Sequence, residues 1–476
     1  MSYDENQSVN AAIIRAIALM DYNICNNIHK QFEFVRQTLL DDNSLTENEK
    51  YEAKLIYTKV YDSYKIMNND GSKRICDNCN QECLATLYCE LCIRNYLKTK
   101  FSNWTSGNVN IDNLIKECQM ETLKPNKIME WIPYNNLKNI KYLTKGGFSE
   151  IYTAIWMDGA QKLENVNNAS QSWLEEAKSH LTLSTKYPNI VQCYGLTQDP
   201  SNGNYMLVMN EMDTNLRKYL QQNHRQLTWK ERIQIAVNVI KSVRIIHKEN
   251  AIHRDLHSGN ILFKTRFYIS DLGFYGPADK PLKSIYGNLP YVAPEAIIGK
   301  EQTFKSDIYS IAMLMWEISS GQPPFINYDN DYDLAMNIVN GIRPKIEPGT
   351  PSEYKNLMKQ CWDADPSNRP DINTLRKKIN EINLFYQKEL DELLTQPEEN
   401  NSFEIEHHTS SNILSTSRLH HFENLPEPRN VTEEFYSKSF NFYIPDNIND
   451  IDEDDVYNNP NFHSEEQDTF ELPDDI

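Results

Sequence analysis

No stretch of this chain approaches the ~20 consecutive apolar residues that a bilayer-spanning helix needs. The best candidates, 11–20 and 308–318, are short and are interrupted by Arg15 and Glu317. The first residues, Met1-Ser-Tyr-Asp-Glu-Asn, lack the basic start and apolar run of a secretory leader. No membrane span is expected, and the expected address is cytoplasmic, with the nucleus as the alternative. A basic excess is also lacking. The chain carries 48 Lys and Arg against 67 Asp and Glu, a net charge of −19. That balance argues against a nucleic-acid partner, which needs a basic face to displace counterions from phosphate. No internal repeat recurs. Nine cysteines, an odd number with five of them between Cys76 and Cys92, favour a metal over a disulfide framework.

The negative charge is concentrated. Between Thr395 and Ile476 stand 20 acidic residues and only three basic ones, Arg418, Arg429 and Lys438. That segment therefore carries 17 of the 19 excess negative charges. Beyond Glu398 hydrophobic periodicity stops, and Asn, Ser, Asp and Glu dominate. Such a composition cannot offset the entropy of ordering, so residues 386–476 are expected to form an acidic disordered tail, with self-docking against basic residues of the body as the alternative. At the other end, Ile13, Ile14, Ile17, Ala18 and Tyr22 recur near a helical period, as do Leu55, Val60, Tyr61 and Tyr64. Residues 1–70 are read as a helical region, with Thr46-x-x-Glu49 as a capping box. Residues 96–136 are read as a linker with a turn at Trp104-Thr-Ser-Gly-Asn108. From Leu137 to about Leu384, short strand-like runs alternate with longer helical ones.

Cys76-x2-Cys79 and Cys89-x2-Cys92 lie nine residues apart. Two CxxC turns can close a tetrahedral four-thiolate site, an arrangement that structural zinc prefers. Residues 71–95 are therefore read as a small zinc-ribbon-like module, with Cys83 as a spare or alternative ligand.

The strongest signal is Ile252-His-Arg-Asp-Leu-His-Ser-Gly-Asn-Ile-Leu262, followed by Asp271-Leu-Gly273 and Ala293-Pro-Glu295. Phosphoryl transfer needs one carboxylate to take or orient the attacking hydroxyl, and an amide with a second carboxylate to hold magnesium on the phosphates. These motifs resemble the protein kinase superfamily over about 250 residues. The resemblance implies an α+β, two-lobed protein kinase fold over residues 137–385, with ATP and Mg as cofactors and protein substrates as partners. It implies Asp255 as catalytic base, Asn260 and Asp271 as magnesium ligands, and Arg254 as the residue that meets a phosphorylated activation loop. That loop runs from about Phe274 to Val292. An upstream kinase would act there, with Ser284 as first candidate and Tyr286 beside it. Glu295 and Arg369 resemble the ion pair that staples the C-lobe, and Asp307 the aspartate that braces the catalytic turn. Met209 is implied as gatekeeper, with the backbone of Asn210–Met212 holding adenine. His-Arg-Asp-Leu-His-Ser-Gly-Asn and Trp362-Asp-Ala-Asp-Pro resemble the tyrosine-kinase-like group, whose members mostly phosphorylate Ser or Thr. The layout, from the CxxC pair through Trp104-Thr-Ser-Gly-Asn and Glu130-Trp-Ile-Pro-Tyr to the kinase motifs, resembles a large fungal family of such kinases.

The N-lobe departs from that pattern. In Tyr142-Leu-Thr-Lys-Gly-Gly-Phe-Ser-Glu-Ile151 only Gly146 and Gly147 remain of the phosphate-loop glycines, ahead of Ile151. The strand that should carry the phosphate-anchoring lysine is read as too short and too polar, and so as deleted. Glu176 is the expected helix partner of that lysine. Lys162 is its candidate replacement, reached only by a register slip that would turn it to the opposite face. Activity is accordingly expected to be reduced. The alternatives are a pseudokinase scaffold that binds nucleotide or partners without turnover, and a zinc-ribbon adaptor that uses the kinase fold as a docking surface.

Overall fold

The N-terminal region begins with three helices: α1 (Tyr3–Ala18), α2 (Ile28–Asp41) and α3 (Glu47–Asn68). They form because their apolar residues recur on one face. Val9, Ala12 and Ala16 of α1 pack with Val35 and Leu39 of α2 and with Ala53 of α3. The expected capping box starts α3: Thr46 and Glu49 satisfy each other's orphan backbone N–H groups. The computed structural model describes residues 3–20, 24–122, 128–145, 150–156, 159–166, 171–264, 266–272, 276–277, 285–326, 328, 330–388, 417–422 and 424–430. The chain divides into two units, Met1–Thr395 with Asn412–Ser437, and Gln396–Ser411 with Lys438–Ile476. All described residues belong to the first.

A short hairpin, β1 (Arg74–Ile75) and β2 (Glu82–Cys83), and α4 (Glu90–Lys100) carry the cysteine pairs. This module is not independent of the helices before it. Asp62 and Lys65, both buried on α3, form an ion pair at 3.0 Å. Asp62 also accepts from the backbone N–H groups of Thr86 and Leu87, and Lys65 donates to the Leu84 carbonyl and the Thr86 hydroxyl. A buried charge without partners would be costly, and here each charge is met by the loop between the two cysteine pairs.

The linker expected over 96–136 is not one. It folds into α5 (Val109–Glu121) and β3 (Glu130–Trp131). Ile111, Leu114, Ile115 and Cys118 form an i, i+3, i+4, i+7 stripe and are buried with Leu181, Leu196 and Leu207 of the following domain. Burying each large aliphatic contributes about 1.5–3 kcal/mol, which an extended tether could not gather. The Trp-Thr-Ser-Gly-Asn turn is fixed by buried Asp112, which accepts from the Thr105 hydroxyl (2.6 Å) and the Ser106 N–H (2.8 Å).

The next lobe is a sheet of order β3-β7-β8-β6-β5-β4. Its further strands are β4 (Lys138–Lys145), β5 (Glu150–Trp156), β6 (Gly159–Val166), β7 (Cys193–Gln198) and β8 (Tyr205–Asn210), with α6 (Gln171–Lys186) between β6 and β7. Only the β3–β7 pair is parallel. It is possible because Gly195 has no side chain: with φ 156°, a Cβ there would lie 1.8 Å from the Glu130 carbonyl oxygen.

The strand expected to be deleted is present. β6 spans eight residues, pairs with β5 from Gly159 opposite Trp156 to Asn165 opposite Glu150, and pairs with β8 on its other edge. Its polarity misleads because strand preference depends on context. Flanked by β5 and β8, its backbone is satisfied on both edges whatever its side chains.

The second lobe is helical around α8 (Trp229–Lys248) and α10 (Phe304–Ser320). Short elements surround them: β9 (Thr214–Asn215), α7 (Leu216–Asn223), β10 (Ala251–Ile252), β11 (Ile261–Phe263), β12 (Phe267–Ile269), β13 (Gly276–Pro277), β14 (Ile285–Gly287), α9 (Pro294–Ile297), α11 (Asp331–Val339), α12 (Ser352–Cys361) and α13 (Ile372–Lys388). α10 is buried from Ser306 to Ser319, so the apolar run 308–318 belongs to a core helix. No helix among the described residues is long and apolar enough to cross a membrane.

Within the expected acidic tail, residues 417–422 and 424–430 lie against this lobe. Arg418–His420 form β15, antiparallel to β14, while Phe422 and Leu425 pack on the core. A solvated extension does not describe these thirteen residues. Their local basic and apolar character is hidden by the average charge of the segment.

The Glu295–Arg369 pair staples this lobe. Two nitrogens of buried Arg369 reach the two carboxylate oxygens at 2.7 Å each. Ser306 also donates to Glu295. Arg369→Ala would leave Glu295 buried and uncompensated, at a cost of about 3–5 kcal/mol. Urea unfolding should show that loss, while Arg36→Ala, which removes an exposed pair with Glu33, should change stability by less than about 1 kcal/mol.

Candidate active site and cysteine cluster

The catalytic turn is built around a backbone conformation that L residues rarely adopt. Arg254 has φ 72°, in the left-handed region. Asp307 on α10 holds it there. Its carboxylate accepts from the backbone N–H groups of His253 (2.9 Å) and Arg254 (3.1 Å) and pairs with His247 at 2.8 Å. Burial would raise the Asp307 carboxyl, but the His247 bond and the nearby charges hold it below its ordinary value. Arg254 itself is buried, and that burial pulls its guanidinium down against the pull of Asp307 and Glu301.

Asp255 follows, 3 % exposed. Its Oδ1 accepts from the Asn288 N–H at 3.1 Å, and His257 Nε2 lies 3.7 Å from its Oδ2. Burial again acts to raise this carboxyl. The His257 ring and a hydrogen bond from Ser417 outweigh it and keep the group lowered, so it is an ionised acceptor at neutral pH. The Asn260 side-chain nitrogen donates to the Asp255 carbonyl at 3.0 Å, which turns its Oδ1 away from that bond. Ser270 donates through both its N–H and its hydroxyl to the Asn260 carbonyl. That ties the catalytic loop to Asp271, which is left-handed at φ 51°. An amide oxygen and a carboxylate so placed are the hard donors that magnesium takes.

A buried network supports the loop from below. Arg217 donates to Ser258 at 3.2 Å, Ser258 meets the Tyr291 hydroxyl at 3.2 Å, and Tyr291 donates to Glu317 at 2.7 Å. Burial pushes both the Tyr291 phenol and the Glu317 carboxyl up. Sequence reasoning missed this network because its members are scattered between positions 217 and 317. It also gave His257 no role, although His257 stands inside the catalytic motif.

In the other lobe, β6 pairs Lys162 with Thr153 on β5 and with Met209 on β8. Cross-strand partners share a face, and the Met209 face packs with Leu207 and with Leu181 of α6. Lys162 therefore occupies a position on the side of the sheet where α6 lies, with no register slip. The side chains of Lys162 and of Glu176, on α6, lie outside the described residues. So do Gly146 and Gly147, Ser284 and the side chain of Tyr286. Ile151 lies on β5, half-buried and opposite Glu164. Met212 is buried, and the Asn210 N–H donates to the Gln192 carbonyl at 2.9 Å.

The four cysteines converge. Cys76 and Cys92 sulfurs stand 3.7 Å apart, Cys79 and Cys89 likewise, and all four lie within 4.8 Å of one another. Four sulfurs each ~2.3 Å from a zinc ion at tetrahedral angles would be about 3.8 Å apart, so the set fits that metal. Backbone N–H groups of Cys79 and Asn78 pull the Cys76 thiol down to about 6. Cys83 is buried beside the cluster and is not one of the four.

A family model for protein tyrosine and serine/threonine kinases matches residues 137–379. Relatives from Dictyostelium discoideum include the probable serine/threonine-protein kinase roco7, 28% identical over 270 residues, which cover 52% of this chain and 10% of that protein. The dual specificity protein kinase zakA is 31% identical over 226 residues, 43% of this chain and 29% of that protein. The dual specificity protein kinase shkE is 28% identical over 253 residues, 50% and 35% respectively. The chain thus spans about a tenth to a third of the length of these relatives. With the braced catalytic turn, the paired Glu295 and Arg369 and the two-lobed architecture, the match over just over half of the chain makes this protein a member of the protein tyrosine and serine/threonine kinase family, of the tyrosine-kinase-like type.

Proposed function

We propose that this chain is a catalytically competent protein kinase that transfers the γ-phosphate of ATP to serine or threonine hydroxyls of proteins. The observation that carries the reading is the register of β6. It supports Lys162 as the phosphate-anchoring lysine, opposite Met209 as gatekeeper and on the α6 side of the sheet, with Glu176 as its partner. The N-lobe then lacks neither the strand nor the cation.

Asp255 accepts the proton of the attacking hydroxyl, since it is ionised, buried and oriented by Asn288. Asn260 and Asp271 would hold magnesium, which neutralises charge on the phosphates when bound. The backbone of Asn210–Met212 takes the adenine edge, and Gly146 and Gly147 let the main chain approach the phosphates. Serine or threonine as acceptor is supported by the name of roco7, while zakA and shkE are named as dual specificity kinases. Arg254 and an activation loop phosphorylated at Ser284 by an upstream kinase complete the reading. The four cysteines hold one structural zinc with no open position.

Magnesium-dependent phosphate transfer from ATP to casein tests the enzyme. Asp255→Asn should lower the rate by about 10²–10⁴-fold, and Lys162→Ala by about 10²–10³-fold. Wild-type turnover no higher than that of Asp255→Asn would reject the enzyme, and an unimpaired Lys162→Ala would reject the lysine. Zinc is tested separately by metal analysis of the purified chain. About one zinc per chain is expected. The ion should be lost from the double variant Cys79→Ser with Cys92→Ser and kept in Cys83→Ser, and no zinc in the wild type would reject the site.

A further inference from the structure

A second hydrogen bond to Asp255 Oδ1 comes from a residue 162 positions later in the chain. Ser417 donates its hydroxyl proton to Asp255 Oδ1 at 2.9 Å, and the same oxygen lies 3.0 Å from His257 Nε2. The direction of the second bond follows from a third. His257 Nδ1 accepts from the Gly259 N–H at 3.0 Å, so the ring proton is on Nε2 and is donated to Ser417. The serine oxygen is thus held by one donor, with its own proton aimed at the ionised carboxylate. That is the arrangement a general base needs before a hydroxyl attacks.

The backbone after Ser417 is held as a substrate strand would be. Arg418 pairs with Gly287, Leu419 with Tyr286 and His420 with Ile285, adding β15 antiparallel to β14 of the activation segment. Gly287 has φ 144°, and a Cβ there would stand 3.1 Å from Val292 and 3.4 Å from Asp255. Two side chains give the strand its specificity. Arg418 pairs with Asp331 at 2.5 Å, and buried His420 reaches the same carboxylate at 3.2 Å and the Gly287 carbonyl at 3.0 Å. Downstream, Phe422 stacks on His420, and Asn430 exchanges hydrogen bonds with Ala364 and Asp363.

We infer that Ser417 is a phospho-acceptor of this chain's own active site, modified in cis, and that residues 417–430 show the substrate class the groove takes: a serine in an extended segment with arginine one residue and histidine three residues after it. The inference rests on the kinase reading above. In the step, Ser417 Oγ forms a bond to the γ-phosphorus of ATP. The bond from that phosphorus to the β–γ bridging oxygen breaks, and ADP leaves with the electron pair. The Ser417 proton passes to Asp255. A phosphate on Ser417 would then bring negative charge beside Asp255, which favours release of the strand.

The test uses the full chain with magnesium and ATP, with the phosphate mapped by mass spectrometry and casein as an outside acceptor. Phosphate is expected on Ser417, at a fractional rate unchanged over a tenfold dilution. Asp255→Asn should abolish it. Arg418→Glu, facing Asp331, should slow it at least tenfold while casein labelling is kept or raised. Labelling of casein with Ser417 unmodified overturns the inference and leaves the kinase reading standing. So does phosphate on Ser415 or Thr416 in place of Ser417, or a rate that falls in proportion to dilution. A chain that labels neither itself nor casein overturns both.

Discussion

Asp307 is the group on which the rest of the active lobe depends. A left-handed residue with a side chain as large as that of Arg254 costs about 1–3 kcal/mol and persists only where its surroundings over-determine it. Asp307 supplies that determination from the middle of α10. It accepts two successive backbone N–H groups, and His247 is paired against it. The turn so fixed positions the buried Asp255 and returns the chain so that Asn260 can bond back to the Asp255 carbonyl. Only then can Asn288 and Ser417 share one oxygen of that carboxylate. The catalytic geometry is therefore a property of a buried helix as much as of the loop that carries it.

The same device recurs wherever distant parts of the chain join. Asp62 and Lys65 fasten α3 to the loop of the cysteine module, Glu295 and Arg369 fasten α9 to the segment before α13, and Glu317 with Tyr291 fastens α10 to the end of the activation segment. A buried charge pair adds little net stability compared with apolar packing, because desolvation offsets much of the attraction. Its effect is on geometry. An apolar contact tolerates sliding, whereas a carboxylate with two or three donors has one low-energy position. The backbone positions that matter for chemistry sit next to such anchors.

What was legible in the sequence follows from how locally each feature is determined. The motifs around Asp255, Asn260 and Asp271 set particular chemical types at short spacing, so the family is legible in the sequence. The paired CxxC units are equally local, and their sulfurs do converge. The errors fall where tertiary context decides. The polarity of β6 points away from a central strand, although its two neighbours satisfy its backbone. The helix α5 lies between two better-marked regions that draw attention from it, yet its stripe of Ile111, Leu114, Ile115 and Cys118 follows a helical period. The docked residues 417–430 were lost in an average. Two of the three basic residues in a strongly acidic segment, Arg418 and Arg429, lie within these fourteen positions, and both make hydrogen bonds to the lobe. A mean charge over a long segment conceals the local character of the part that docks.

α5 also changes what the cysteine cluster can mean for the kinase. Cys89 caps α4, its sulfur accepting from the Cys92 N–H. α4 lies against α5, and α5 buries its apolar stripe on α6 and on β8. The ion pairs Lys178–Glu117 and Lys186–Glu121 line the same helix contact but are exposed and worth little, so packing sets the spacing. α6 is the helix that carries Glu176, and β8 is the strand that carries Met209. Interiors packed at crystal-like density transmit a displacement instead of absorbing it. The position of α6 over the cleft is thus set from outside by a helix that begins twenty residues beyond Cys89. A module that would otherwise read as an appendage to the kinase is joined, through α4 and α5, to the packing of its N-lobe.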